Sequence, residues 1–255
     1  MQKITKLKIF AGLGAVVASL ITPAAMAADL APYTSYEPAG PELHGSATIY
    51  GWMPWVDGDI TIGGDTLEIG NGDGDSDIFE ILDGFFMANG DLRYGRYGIY
   101  ADVLYAGFSN DRANRGWSLD ATTVTGLLTY DVLRSDTGWL QVGAGVRYWS
   151  IDADIYLDVP VIGFDVGASP DWVDFIGGIR GQQYLSDALF VEGTALAGTG
   201  KSDFIWDVYG GLGYSFSSHF SASLGYRGMG LEYGNDNTGL DLVFHGPVAG
   251  LTLRF

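Results

Sequence analysis

The sequence predicts an all-β chain: an antiparallel transmembrane β-barrel, ten strands by first count and eight as the alternative. Three observations carry this. Segments of roughly ten to fifteen residues alternate apolar and polar side chains with a period of two. On the clearest of them the charges share the face opposite the aliphatic stripe. Short turns alternate with longer loops, as in a barrel whose strands cross a bilayer in about 9 to 11 residues each.

Composition narrows the field. The chain has 255 residues with 39 Gly, 7 Trp, 15 Tyr, 13 Phe, no Cys and a formal charge of −18. With 47 % hydrophobic residues it has material for a core, which excludes a disordered acidic chain. Glycine costs about 1 kcal/mol per helical position against alanine, so this composition argues against the all-α classes. The negative balance repels phosphates and offers no basic stripe, so nucleic acid is not an expected partner. Without cysteine, disulfides and thiolate–metal chemistry are excluded.

In chain order, residues 1–27 read as a secretory signal peptide: Lys3, Lys6 and Lys8, an apolar run, then Ala25-Met26-Ala27 as the cleavage site. The run is about 13 residues, short of the roughly 20 that span a bilayer as a helix. Residues 28–43 hold three prolines and no periodicity, and read as an extended periplasmic leader. Residues 44–255 form the barrel. Its ten segments are 45–56, 85–94, 97–105, 117–131, 140–149, 172–184, 188–197, 206–216, 220–227 and 240–255.

Five of these alternate cleanly. In 85–94, Ala88, Leu92 and Tyr94 lie opposite Asn89, Asp91 and Arg93. After Gly95-Arg96 the rhythm returns, with Ile99, Val103 and Tyr105 opposite Tyr100 and Asp102. Leu140, Val142 and Val146 oppose Gln141, Arg147 and Trp149; Val208, Leu212 and Tyr214 oppose Asp207 and Tyr209; Leu224 and Tyr226 oppose Ser223 and Arg227. The polar face uses glycine, aspartate, arginine and hydroxyls, with almost no lysine, which suits a confined lumen. Aromatics at strand ends (Tyr94, Tyr97, Tyr148, Trp206, Phe216, Phe220) suit a bilayer interface. Short turns are expected near 95–96, 133–137, 185–187 and 217–218. Longer loops are expected at 57–83, 109–116, 151–171, 198–201 and 234–239, with 57–69 as a hairpin above the membrane in the eight-strand alternative.

The signal peptide, the ladder of amphipathic strands, Leu224-Gly225-Tyr226-Arg227 and the ending Leu251-Thr252-Leu253-Arg254-Phe255 resemble the small outer-membrane β-barrel proteins of Gram-negative bacteria, the porin-like group. The resemblance implies a place in the cell outer membrane, contact with membrane lipid and lipopolysaccharide, and recognition of Phe255 by the barrel-assembly machinery. The group spans pores, adhesins and lipid-modifying enzymes, so the resemblance carries architecture and not activity.

Nine residues are expected to form a lumen charge network: Asp91, Arg93, Asp102, Arg147, Asp174, Arg180, Glu192, Asp207 and Arg227. Two readings of it stand: a salt-bridged plug, or a ring that selects ions in a narrow pore. Asn71-Gly72-Asp73-Gly74-Asp75-Ser76-Asp77 alternates oxygen ligands like a calcium loop, but Ser76 and Leu82 break the pattern, so only weak gathering of divalent cations is expected. His44, His219 and His245 have no obvious catalytic partners in sequence, and neither catalysis nor a cofactor is expected. Met53-Pro54-Trp55-Val56 and Pro170-Asp171-Trp172 read as interface anchors. The expected function is a structural envelope protein or a narrow cation-preferring pore. Surface binding through acidic loops is the alternative, and cleavage of lipid or peptide a third class.

Overall fold

The computed structural model describes residues 43–62, 64–69, 82–112, 115–159, 162–168, 170–235 and 238–255. The signal peptide, nearly all of the leader and the acidic loop 71–77 lie outside the described residues. Within them the chain forms strands and no helix. The strands are β1 (Leu43–Trp52), β2 (Trp55–Ile62), β3 (Asp65–Ile69), β4 (Leu82–Tyr94), β5 (Tyr97–Arg112), β6 (Arg115–Ser135), β7 (Gly138–Val159), β8 (Ile162–Ala168), β9 (Asp171–Tyr184), β10 (Leu189–Gly200), β11 (Phe204–Ser215), β12 (Phe220–Asn235) and β13 (Thr238–Arg254).

Ten of them close a ring in the order β1-β4-β5-β6-β7-β9-β10-β11-β12-β13, and β13 returns to β1. Every pairing is antiparallel, and the closing ladder runs from Ser46↔Arg254 to Trp52↔Val248. The ten are the ten segments expected from periodicity. Closure removes the sheet edge, so each wall strand is paired on both sides. The seam is tight where it ends: Gly45 and Phe255 exchange backbone bonds of 2.7 and 2.9 Å. The Phe255 ring lies so close over Gly45 that a Cβ there would stand 2.3 Å from it. A larger residue there would have to displace that ring.

One end of the barrel carries the tight connections. Gly95, at φ +60°, supplies the left-handed residue of the two-residue β4–β5 turn. At the opposite end the expected loops are largely strand. The β5–β6 ladder runs on to Arg112↔Arg115, the β12–β13 ladder to Asn235↔Thr238, and β8 continues beside the far end of β7. The segment 57–69 does form a hairpin, β2–β3, in which β2 continues the place of β1 along β13 after a break at Met53-Pro54, pairing from His245↔Trp55 to Thr238↔Ile62. The physical reason is the ladder itself: two strands already in register satisfy their backbone groups by continuing to pair. The sequence reading ended strands where alternation weakened, and the hydrogen bonds run further.

Alternation sorts the two faces. Ile99, Leu128, Phe175, Leu224 and Leu251 are exposed on the outer wall, as are Tyr94, Tyr97 and Phe216 near the turn end. The neighbouring residues Tyr100, Leu127, Asp174 and Trp172 are buried inside.

Candidate functional site

The lumen is built in three levels, and the register of the strands sets each one. Nearest the turns, Asp91 on β4 lies beside Tyr100 on β5, and Gln141 on β7 beside Arg180 on β9. Arg180 Nη1 donates to Asp91 Oδ2 at 2.9 Å and to Gln141 Oε1 at 3.3 Å, and its guanidinium lies 3.5 Å above the Tyr100 ring. Gln141 Nε2 passes the chain on to Asp131 Oδ1 at 2.9 Å. Arg93 Nε stands 2.7 Å from Asp91 Oδ1, yet neither atom makes a well-aimed hydrogen bond, so that contact is ionic. Arg93 also sits 4.7 Å above the Trp139 ring.

The middle level spans the barrel. Asp207 on β11 takes a two-pronged grip from Arg227 on β12, Nε at 3.0 Å and Nη2 at 2.7 Å, and a third bond from Arg147 Nη2 on β7 at 2.5 Å. Arg227 also donates to Asp102 on β5 at 2.9 Å and to the Tyr50 hydroxyl on β1 at 2.9 Å, while Tyr50 donates to Asp102 at 2.6 Å. Arg147, 1 % exposed, completes its bonds with Thr125 Oγ1 at 2.8 Å and Met229 Sδ at 3.4 Å. Two arginines meet two aspartates, and each guanidinium is bonded along more than one edge. This is the condition under which buried charges are tolerated.

The third level, toward the loops, is apolar. Trp52, Met87, Leu104, Trp149 and Trp172 stand there with Ile205, Met229 and Leu231, in a buried cluster that also takes in Leu127, Ile176 and Leu196 at and below the level of the charges. Trp149 and Trp172 stack at 5.9 Å and 12°, and Trp172 leans on Tyr233 at 5.3 Å. The sequence reading set Trp172 at the interface as an anchor. It is 8 % exposed instead, because β9 enters the wall at Asp171 and alternation turns position 172 inward. Trp55, also expected as an anchor, is exposed on the outer wall.

Of the nine expected lumen charges, seven form two ionic groups: Asp91, Arg93 and Arg180 in one, Asp102, Arg147, Asp207 and Arg227 in the other. Asp174 and Glu192 join neither. Asp174 is fully buried and is bonded by the Ser202 amide at 2.8 Å, the Ser202 hydroxyl at 2.7 Å and Trp172 Nε1 at 3.1 Å, which clips the β10–β11 turn to the adjacent strand β9. Glu192 accepts from the Tyr209 hydroxyl at 2.8 Å. Sequence reading missed Tyr50, Thr125, Gln141 and Met229 as partners. The parity of Ser46, Thr48, Tyr50 and Trp52 along β1 was the available signal for Tyr50.

Below the middle level the lumen is partly hollow, and the Asp91, Arg93 and Arg180 side chains line the space. A cavity of about 520 Å3 reaches from the turn-end rim at His44, Arg254 and Phe255 up to Arg147, Asp207 and Arg227. Gly181, Gly193 and Gly250 are among the residues that line it, and lacking side chains they leave it room. Among the described residues Arg147, Asp207 and Arg227 bound this cavity on the side away from the turns. Among the described residues no group of three or more His, Asp and Glu is placed to hold a metal ion.

No protein-family model matches the chain, and no curated protein matches it. Solved structures do. The outer membrane protease OmpT from Escherichia coli is similar at 12 % identity over 86 % of this chain and 99 % of that one, with a TM-score of 0.54. Neisserial surface protein A aligns at 13 % identity over 85 % and 100 %, TM-score 0.34. Ail, the attachment invasion locus protein of Yersinia pestis, aligns at 10 % over 85 % and 100 %, TM-score 0.37. At these identities the OmpT likeness shows the fold: a barrel of the outer-membrane type.

Proposed function

We propose that this protein is an outer-membrane barrel with a closed lumen, a structural component of the envelope and not an open pore. The observation that carries the reading is the stopper: an ionic level tying β1, β5, β7, β11 and β12 across the lumen, roofed by a tightly packed level of mostly apolar and indole side chains. Ten strands enclose little more than an eight-stranded barrel, whose side chains fill its interior. The apolar outer wall and aromatic rims support the membrane location, and the signal peptide and terminal Phe255 expected from sequence agree with export and assembly there.

This reading takes the structural alternative over the conducting one. The ion preference expected from the chain's negative excess would then appear only after the stopper is cut. Planar-bilayer recording tests it. The native protein is expected to be silent, and a variant that removes both the tie and its roof, Arg227→Ala with Trp149→Ala and Trp172→Ala, to conduct, with cations favoured. Native conductance steps would refute the closed lumen. The reading is also non-catalytic, so lipopolysaccharide incubated with the protein keeps its acyl chains by mass analysis.

A further inference from the structure

A polar cluster stands on the outer wall, apart from the lumen and its stopper. His245 on β13 points outward, opposite Trp55 on β2 and Gly228 on β12. Its Nδ1 shares a 2.6 Å hydrogen bond with the Tyr226 hydroxyl, and its Nε2 shares one of 2.8 Å with Asp57 Oδ2. The rings of Trp55 and Tyr226 lie 6.0 Å from the imidazole, one tilted and one stacked. Trp206 lies across Gly228 and Gly230 next to them. Trp55, Asp57 and Tyr226 are each about half exposed, so the cluster is open from outside.

Beneath it, on β12 and β13 and the neighbouring β1, β4 and β11, is an apolar groove of about 950 Å3. Its floor is made of small residues, Gly51, Ala222 and Ala249, and Ile49, Phe85 and Leu212 rise as its walls. The register joins the two features: Leu224↔Ala249 lies two residues below Tyr226↔Pro247, and His245 two residues above Pro247. A greasy channel therefore leads up to a ring of aromatics around a hydrogen-bonded imidazole and carboxylate.

We propose that this outer-wall site binds a glycolipid, one acyl chain in the groove and a sugar ring against Trp55, with sugar hydroxyls donating to Asp57. Three features choose this head over others. A carboxylate has more acceptor sites than the one His245 uses, and hydroxyls fill them. Among the described residues of the cluster the one basic side chain is His245, with both ring nitrogens engaged, so a phosphate would meet the Asp57 charge on a strongly acidic chain with no cation to receive it. Flat aromatic faces beside hydrogen-bonding tips are also the form that interfacial rings take at the headgroup level.

The site rests on the membrane location proposed above and not on the closed lumen. The test holds the folded protein in amine-oxide micelles and measures retention by native mass spectrometry of three probes: dodecyl maltoside, dodecylphosphocholine and maltose. One dodecyl maltoside retained in preference to the other two is the expected result. Trp55→Ala and Asp57→Asn should each lower its retention at least tenfold, as should Ala249→Phe, which fills the groove. Equal retention of dodecylphosphocholine overturns the sugar assignment. Retention of maltose as strong as that of its alkyl form overturns the role of the groove. If a variant does not fold, decyl and dodecyl maltoside compared on the native chain decide the groove, since binding that ignores chain length refutes it. A chain that stays monodisperse without detergent would refute the membrane location itself. A detergent-requiring chain without selective retention refutes only this site.

Discussion

Asp207 is the residue on which the middle level of the lumen turns, and its replacement gives the most discriminating test of that level. It is 2 % exposed and receives three hydrogen bonds from two guanidinium groups. Asp207→Asn keeps the shape and removes the charge. Arg227 still has Asp102 and Tyr50, but Arg147 is left with a hydroxyl and a thioether, a buried cation without a counter-charge. Breaking a buried pair in this way costs about 3–5 kcal/mol. Arg147→Met leaves Asp102 and Asp207 to share the single charge of Arg227, but Arg227 still grips Asp207 from two atoms and bonds Asp102, so the excess negative charge sits on carboxylates that keep their hydrogen bonds. Its cost is that of lost charged hydrogen bonds, about 1.5–3 kcal/mol, partly offset by apolar packing against Met229. The expected order is therefore Asp207→Asn worse than Arg147→Met, with the double variant milder than the sum because the stranded cation is gone. Urea unfolding in lipid vesicles, followed by tryptophan emission, measures all three. An Asp207→Asn barrel as stable as the native one, or an Arg147→Met barrel that loses more, would refute the shared-carboxylate arrangement.

Two further outcomes follow from the wall. Leu224 is 70 % exposed on the outer face, so Leu224→Arg should cost about 2–4 kcal/mol in a bilayer if that position faces the hydrocarbon near its midplane. A cost near zero in the same vesicle assay would mean that the face meets water. Gly45→Val places a side chain where the Phe255 ring now lies, and should lower the fraction of heat-resistant folded band on electrophoresis while leaving secondary structure formed. A variant that folds as fully as the native chain would show that the seam needs no open space at that position.

The wall was legible in the sequence because alternation is a local signal: on β7 it sets Val142 and Val146 against Gln141 and Arg147, and those four residues lie on the faces it implies. The length of the hairpins was not legible, since β5–β6 beyond Ser109 is held by backbone bonds that carry no apolar stripe. The charged face was readable, but not the choice of partner within it. Asp174 and Arg147 are directly paired in the β7–β9 register, yet Arg147 reaches across the lumen to Asp207 and Asp174 turns to Ser202. Those choices depend on barrel curvature and on which rotamers meet in the middle, and no single strand encodes them. The same holds for His245, whose partners Asp57 and Tyr226 come from two other strands.

The carboxylate shared by Arg147 and Arg227 also has a consequence for the order of events in assembly. Asp207 and Arg147 are 60 positions apart in the chain, and Arg227 and Asp102 are 125 apart. A flat, half-built sheet holds these groups on one surface at a distance, so the knot ties only after the cylinder has curled shut. Its strength is then absent from the rate-limiting crossing and falls on the way back out: cutting it should hasten escape from the native state and leave the speed of insertion unchanged.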